Sequence, residues 1–448
     1  MNFPAWSIIP FVALLACIAV LPLTPKVSHL WERNAVKLAV AAILGVPVAV
    51  AIWVSTGGEL VTESLIDYVQ FIALLASLFV VSGGVFLAGD LRATPRNNTV
   101  FLGVGAVIAS FLGTTGAAML LIRPILNTNA ERKHKTHTVV FTILIVANCG
   151  GMLTPLGDPP LYIGLMQGVP FLWTFSLFPA WLFVNALLLL TFYALDRREY
   201  AKEDATSIAW DEQARTPLRV RGGLNVVWLL VIVASVAFLN EWVWVKIAVQ
   251  VFAAAMSYIT TRKQIRFEDN QFTWGPIVEV AVLFFGIFLT MIPALEYLRE
   301  HAHNLPLNEY TFFGSTGVLS AVLDNAPTYL TFFEMGTQLT IPGAEVVAGV
   351  PHLYLLAISL GAITGGALTY IGNGPNFMIK AVAEERQVKT PSFGRYVVWA
   401  LSFLAPIMVA MVCVILSGNP VVQGVGGVLA AAVVGRAVYW IVKFPMPH

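Results

Sequence analysis

Two stretches of this 448-residue chain decide its fold. Residues 150–160 read Gly150-Gly-Met-Leu-Thr-Pro-Leu-Gly-Asp-Pro-Pro160, and residues 365–375 read Gly365-Gly-Ala-Leu-Thr-Tyr-Ile-Gly-Asn-Gly-Pro375. Six of the 11 positions are identical, and Asp158 corresponds to Asn373. Glycine permits backbone angles that a helix does not use, and proline stops a helix from continuing. Each stretch therefore predicts a break in an apolar helix, over residues 138–168 and 353–383.

An interrupted apolar stretch precedes each broken helix at a similar distance. Residues 99–125 are interrupted by Thr114-Thr-Gly-Ala117, and residues 309–339 by Asp324-Asn-Ala-Pro327. Irregular backbone survives at membrane depth only where protein or a watery cavity surrounds it. Both stretches are therefore predicted to be re-entrant hairpins rather than straight membrane helices.

The composition is typical of an integral membrane protein with many spans. Hydrophobic residues make up 58% of the chain and charged residues 11%, with a net charge of +1, whereas soluble chains carry roughly 25% charged residues. This excludes a soluble enzyme, a disordered protein and a nucleic-acid binder with a basic face. We predict an all-α polytopic membrane protein with about 11 transmembrane helices: the two broken helices and the apolar segments 5–23, 36–54, 69–89, 171–193, 223–240, 244–260, 275–293, 394–417 and 420–441.

Basic residues predict the orientation, because they are concentrated in cytoplasmic loops. We place the N-terminus outside the cell (inner) membrane and the C-terminus in the cytoplasm. Of the 26 Lys and Arg, only Lys246 and Arg299 then lie in external loops, and Arg123 and Lys380 lie within apolar segments. The broken helices then run in opposite directions. This predicts two inverted repeats, a common architecture of secondary transporters: residues 1–195 and 223–417, joined by a solvated cytoplasmic linker at 196–222 and followed by a final helix and tail at 418–448.

The breaks and hairpin tips offer oxygen donors to an ion. Sites rich in oxygen, without Cys or His, suit a hard cation such as Na⁺; for any single Thr or Asn the alternative role is to cap a broken helix. A mid-membrane carboxylate costs about 2.5–3.5 kcal/mol and usually serves function, and a carboxylate can hold either a proton or Na⁺. Asp158 and Asp324 are the expected Na⁺ contacts. The full set of candidate ligands is Thr114, Thr115, Asn148, Thr154, Asp158, Asp324, Asn325, Thr369, Asn373 and Asn376.

Other charged residues in apolar segments have less specific interpretations. Glu279 is a candidate for a proton path, and so is Glu334, which snorkelling at a helix end explains equally well. The alternative role for the two aspartates is a structural ion pair with Arg123 or Lys380.

These motifs resemble the ion transporter superfamily, which includes NhaD-type sodium/proton antiporters, CitM citrate transporters, arsenite pumps and divalent-anion/sodium symporters. The most specific pieces are Asn148–Pro160, Leu323–Pro327 and Gly372–Asn376. They resemble an NhaD-type sodium/proton antiporter branch or a CitM-like branch of citrate transporters. The resemblance implies a homodimer with a fixed scaffold and a moving elevator domain that contains both hairpins and both broken helices. It also implies one sodium site near Thr114, Thr115 and Asp158 and a second near Asp324, Asn325 and Asn373. The Ser-Asn-Thr tips of the divalent-anion symporters are absent, which disfavours a dicarboxylate substrate.

The leading hypothesis is a secondary transporter that exchanges Na⁺, or Li⁺, for H⁺ without a resident cofactor. The alternative is cation-coupled uptake of citrate or a similar anion. An intramembrane aspartyl protease is disfavoured, because Pro155-Leu-Gly-Asp158 lacks the first glycine of a Gly-x-Gly-Asp signature, and a channel remains an alternative. The expected partners are membrane lipid, small ions and a second copy of the chain, and not nucleic acid.

Overall fold

The computed structural model describes residues 3–24, 26–204 and 216–445, and it is dominated by helices. Residues 205–215 of the predicted linker and 446–448 of the predicted tail lie outside the described residues. The first half contains α1 (Ile9–Val20), α2 (Ser28–Trp31), α3 (Asn34–Thr56), α4 (Glu59–Ser82), β1 (Phe86–Asp90), α5 (Pro95–Leu112), α6 (Thr114–Thr128), α7 (Thr136–Ile145), α8 (Pro159–Met166) and α9 (Phe178–Tyr200).

The second half follows the linker and has the same order of hairpin and broken helix. Its elements are β2 (Thr216–Arg221), α10 (Leu224–Phe238), α11 (Val243–Thr260), α12 (Gly275–His301), α13 (Glu309–Val322), α14 (Asn325–Gly336), β3 (Val346–Val347), β4 (Val350–Pro351), α15 (His352–Gly366), α16 (Gly374–Glu385), α17 (Phe393–Phe403), α18 (Ala405–Met411) and α19 (Pro420–Lys443).

Local sequence explains where the hairpin arms begin and end. Thr94 caps α5 by accepting from the Asn97 amide, and Pro95 occupies the first turn, where its missing N–H costs nothing. The arm ends at Gly113, whose φ of 78° favours glycine. Asn308 begins α13 with a capping box that includes Thr311.

The prediction of a polytopic helical membrane protein is confirmed. Seven helices among the described residues are long and apolar enough to cross a bilayer. Shorter apolar helices, over Ala5–Val20, Thr136–Met152, Leu224–Phe238 and His352–Gly366, overlap the other segments predicted to cross. Large apolar side chains point outwards from the peripheral helices, as Val54 of α3 (81% exposed) and Val421 of α19 (75% exposed) show.

The broken helices lie at the centre of the molecule. Apolar residues on every side of α7 and α15 are buried, which is expected of helices that are hydrophobic all round. Helix α15 packs so closely on α13 that a Cβ on Gly365 would lie 2.3 Å from the Gly317 carbonyl oxygen. A side chain at residue 365 would therefore separate the second hairpin from the second broken helix.

Two short antiparallel ribbons interrupt the helical pattern and were not predicted. β1 pairs with β2, with Leu87 opposite Val220, and so joins the chain after α4 to the end of the linker. β3 pairs with β4 immediately before α15. Ribbons of this length leave little periodic signal in a largely apolar sequence.

The linker is less solvated than predicted at its first residue. Asp196 is fully buried and accepts from Arg132 at 2.6 Å and from the His137 ring at 2.8 Å. Asn98 of α5 donates to the same carboxylate at 2.9 Å. The prediction of a solvated Asp196 is wrong, because residues distant in sequence supply the charge and donors that a buried carboxylate requires.

Candidate ion-binding site

Four helices begin at one place in the centre of the protein: α6 and α14 from the two hairpins, and α8 and α16 from the two broken helices. The residues that immediately precede them are Gly113, Asp324, Asp158 and Asn373. The N-terminus of a helix carries unpaired N–H groups and a partial positive charge. The site therefore combines four electropositive helix ends with two carboxylates.

The first hairpin tip is docked against the first break. The Thr114 amide donates to the Gly157 carbonyl oxygen at 2.8 Å. A Cβ on Gly157 would lie only 2.1 Å from the Gly151 carbonyl oxygen, so the break requires glycine there. This close approach brings the Thr114 side chain to Asp158.

Asp158 joins both halves of the protein. It is only 1% exposed. Its Oδ1 accepts from the Thr114 hydroxyl at 2.8 Å and from Asn373 Nδ2 at 3.2 Å, and its Oδ2 accepts from Asn325 Nδ2 at 2.6 Å. Both hairpins and both breaks therefore contact one buried carboxylate, which fits a charge that is stabilised by donors rather than by water.

A network of asparagines surrounds this carboxylate. Asn148 donates to Asn376 Oδ1 at 2.7 Å, while Asn373 donates to Asn148 Oδ1 at 3.2 Å. Asn376 Nδ2 donates in turn to the backbone carbonyls of Gly366 and Thr369. Because these amides bind one another and the broken backbone, their first role is to satisfy polar groups that the breaks expose.

Asp324 lies at the edge of the site and faces a cleft with a cavity volume of about 80 Å³. The side chain is half-buried, and its Oδ1 accepts from the Ala326 amide at 3.1 Å, which caps α14. Thr115 and Asn373 line the same cleft. The opposite wall is apolar and comes from α4 and α12: Leu75, Leu78, Phe79, Pro276, Ile277, Val280 and Phe284. No lysine or arginine is among the described residues that line the cleft.

Thr154 and Thr369 occupy equivalent positions and cap the breaks. The Thr154 hydroxyl donates to the Ser110 carbonyl oxygen and accepts from the Leu156 amide. The Thr369 hydroxyl donates to the Ala321 carbonyl oxygen at 2.5 Å and accepts from the Ile371 amide at 3.1 Å. These hydroxyls bind backbone groups, so neither is among the donors to Asp158.

Two serines missed by the sequence analysis hold the hairpins to the broken helices. Ser110 Oγ donates to the Gly150 carbonyl and Ser320 Oγ to the Ala362 carbonyl, both at 2.6 Å, and both side chains are fully buried. Each serine lies four residues before a hairpin-tip residue, Thr114 or Asp324. This equal spacing is the signal that could have identified them.

The remaining charged candidates have partners elsewhere. Glu279 pairs with the buried Lys37 at 2.6 Å, and Glu334 pairs with Arg299 at 3.3 Å. Arg123 donates to Gln271 at 3.2 Å, and Lys380 pairs with Glu384 at 2.7 Å. The contacts of Arg123 and Lys380 therefore give no support to the alternative in which they neutralise the two aspartates.

The donor set fits a hard cation. Asn325 is fully buried, and its Oδ1 has no hydrogen-bond partner although Nδ2 of the same side chain contacts Asp158. A buried acceptor without a donor is costly, and a bound cation would satisfy it. The described residues contain no cluster of three His, Cys, Asp or Glu side chains that could hold a transition metal. The oxygen ligands present are of the kind that hard cations prefer.

Apolar spanning helices around a polar site of broken helices are the architecture of a membrane transporter. A family model described as "Putative citrate transport" matches residues 1–416. The chain belongs to this family, and the expected membership in a CitM-like branch of the ion transporter superfamily is confirmed. No curated protein matches the chain.

Proposed function

We propose that this transporter exchanges Na⁺, or Li⁺, for H⁺ across the cell (inner) membrane. The observation that carries the proposal is the charge of the cleft: it is lined by Asp324 and oxygen donors, without a lysine or arginine among its described lining residues. A multiply charged anion would meet the Asp324 carboxylate there without a cationic side chain to pair with. A cation would meet the ligands it prefers.

Asp158 and Asp324 have different roles in the proposed exchange. Asp324 is half-buried and faces the cleft, so it meets the arriving ion first. Asp158 is buried behind it, next to the unpartnered Asn325 Oδ1. A carboxylate that binds Na⁺ cannot bind H⁺ at the same time, and this competition is sufficient to couple the two gradients.

Inverted membrane vesicles that contain a pH-sensitive dye test the proposal. Respiration acidifies the lumen and quenches the dye, and added Na⁺ is expected to restore fluorescence as protons leave. Restoration should be lost in Asp324→Asn, which keeps the shape of the side chain and removes its charge. Absence of a Na⁺ or Li⁺ response in the wild type, with the protein present in the vesicles, would refute the proposal.

The second candidate is cation-coupled uptake of citrate or a similar anion. Two observations favour it: the four helix N-termini that meet at the site attract negative charge, and the family is described by citrate transport. In this case Na⁺ at Asp158 would lie between the carboxylates and the anion. Uptake of labelled citrate that requires Na⁺, together with no Na⁺-dependent proton movement, would establish this candidate instead.

We also propose that transport follows an elevator motion in a homodimer with 11 crossings, the N-terminus outside and the C-terminus cytoplasmic. Support for the motion comes from the two walls of the cleft. One wall carries the polar site, with Met378 beside it, and the other is the apolar surface of α4 and α12, which includes Val280. Cysteines introduced at Val280 and Met378 should crosslink and arrest transport, and reduction should restore it; full transport by the crosslinked protein would contradict a moving domain.

A further inference from the structure

An apolar groove on the outer surface of the first hairpin is not used by the proposed transport function. It has a volume of about 620 Å³ and lies between the β1–β2 ribbon and the helices α5 and α6. Leu87 of β1 and Val220 of β2 face it from the ribbon, and Leu120 and Leu121 of α6 also line it. The ribbon thus forms one wall of the groove, and the two helices of the hairpin form the other.

The α5 wall of the groove is exposed although it is apolar. Val100 is 58% exposed and Val104 is 50% exposed, and they lie one helical turn apart on the same face. Val220 across the groove is 63% exposed. An exposed apolar surface of this kind marks a site of contact with a membrane or a partner.

A cationic side chain lies at one end of the groove. Arg96, in the first turn of α5, is exposed and lines the groove together with Asn97, while the remaining lining residues are apolar. From Arg96 to Ile108 at the far end, α5 rises by about 18 Å. The groove therefore has one charged end and a long apolar body, which is complementary to an anionic head group attached to an acyl chain.

We propose that this groove binds an anionic phospholipid, with its phosphate on Arg96 and one acyl chain along Val100 and Val104. The planar guanidinium of arginine binds phosphate oxygens through two parallel hydrogen bonds. The lipid would contact both the ribbon that follows α4 and the outer arm of the hairpin whose tip carries Thr114. It would thereby join the hairpin to the end of α4.

Native mass spectrometry of the full-length protein tests the proposal, after incubation with equal amounts of dioleoyl-phosphatidylglycerol and dioleoyl-phosphatidylcholine. The wild type should retain one phosphatidylglycerol in preference to phosphatidylcholine. Arg96→Gln should reduce that preference by about tenfold, the factor for one charge-assisted hydrogen bond, and Arg96→Lys by less. Val104→Trp should fill the groove and reduce retention of both lipids.

Matched substitutions at other exposed positions control for surface effects. Arg395→Gln changes an exposed arginine at the start of α17, and Val428→Trp adds an indole to an exposed face of α19; neither should change lipid retention. An unchanged preference in Arg96→Gln would overturn the proposal. Conversion of the dimer to monomers in Val104→Trp, without a change in bound lipid, would also overturn it, since the groove would then be occupied by a second copy of the chain. Because these readouts need no transport, they are independent of whether Na⁺ is exchanged.

Discussion

Replacing Asp158 with Asn removes the charge at the centre of the site and keeps the shape of the side chain. The carboxylate now accepts three hydrogen bonds, from Thr114, Asn325 and Asn373. In the Asn variant one accepting oxygen becomes an NH₂ group, so at least one of these donors faces another donor. The loss of that bond costs about 1–3 kcal/mol, which the removal of a buried charge partly offsets.

The effect on Na⁺ binding should be larger than the effect on stability. A unit charge at about 4 Å contributes about 4 kcal/mol at an effective dielectric constant of 20, which corresponds to roughly a thousandfold in affinity. The half-saturating Na⁺ concentration of the vesicle assay should therefore move beyond the measurable range. Thermal unfolding of the purified variant would show that the fold is retained.

A matched change elsewhere controls for the loss of any carboxylate. Glu334→Gln makes the same exchange of acid for amide at a residue that pairs with Arg299, and its half-saturating Na⁺ concentration should stay within about twofold of the wild type. The reasoning is refuted if folded Asp158→Asn responds to Na⁺ with a half-saturating concentration within about threefold of the wild type. In that case Asp158 only organises Thr114 and the asparagines around it.

Three further outcomes are expected from the contacts of the site. Asp324→Asn should abolish Na⁺-dependent proton release in vesicles while thermal unfolding changes little, because this side chain is half-buried and accepts one hydrogen bond, from the Ala326 amide; retained proton release would remove it from the site. Thr154→Val and Thr369→Val should each lower the free energy of unfolding by about 1–3 kcal/mol, measured as earlier thermal unfolding, because each hydroxyl joins the backbone of a hairpin arm to the backbone of a break; a large loss of Na⁺ affinity with normal stability would instead make them ligands. Glu279→Gln should leave Na⁺-dependent proton movement within about twofold, since Glu279 pairs with Lys37, whereas loss of proton movement in a folded variant would restore it to a proton path.

The breaks and hairpins could be predicted from the sequence because their signals are local. Gly157 and the two prolines at residues 159 and 160 prevent a continuous helix whatever surrounds them, and the structure has α7 and α8 on either side of a break. The tip at Gly113 and the turn before Asn325 are likewise local features. The family resemblance rested on these same motifs, and the family match confirms it.

The different environments of the two aspartates could not be predicted. In the sequence both carboxylates interrupt apolar segments, Asp158 at a break and Asp324 at a hairpin tip, and this pattern predicts the same ion-binding role for both. In the structure Asp158 is enclosed by donors from both halves, whereas Asp324 faces a cleft. Those donors lie about 160 to 215 residues away in the chain, and no local pattern reveals such distances.

The amino-acid sequence by itself determined that this chain is a membrane protein and where its helices stop. Both follow from local features: the length of each apolar segment, and the backbone angles that glycine and proline allow. Only the tertiary structure decided which polar groups meet. The burial of Asp158, the pairing of Glu279 with Lys37 and of Asp196 with Arg132, and the capping roles of the two threonines all depend on segments that pack together from different parts of the chain. A buried polar group pairs with a partner that the packing brings to it, and that packing is known only from the tertiary structure.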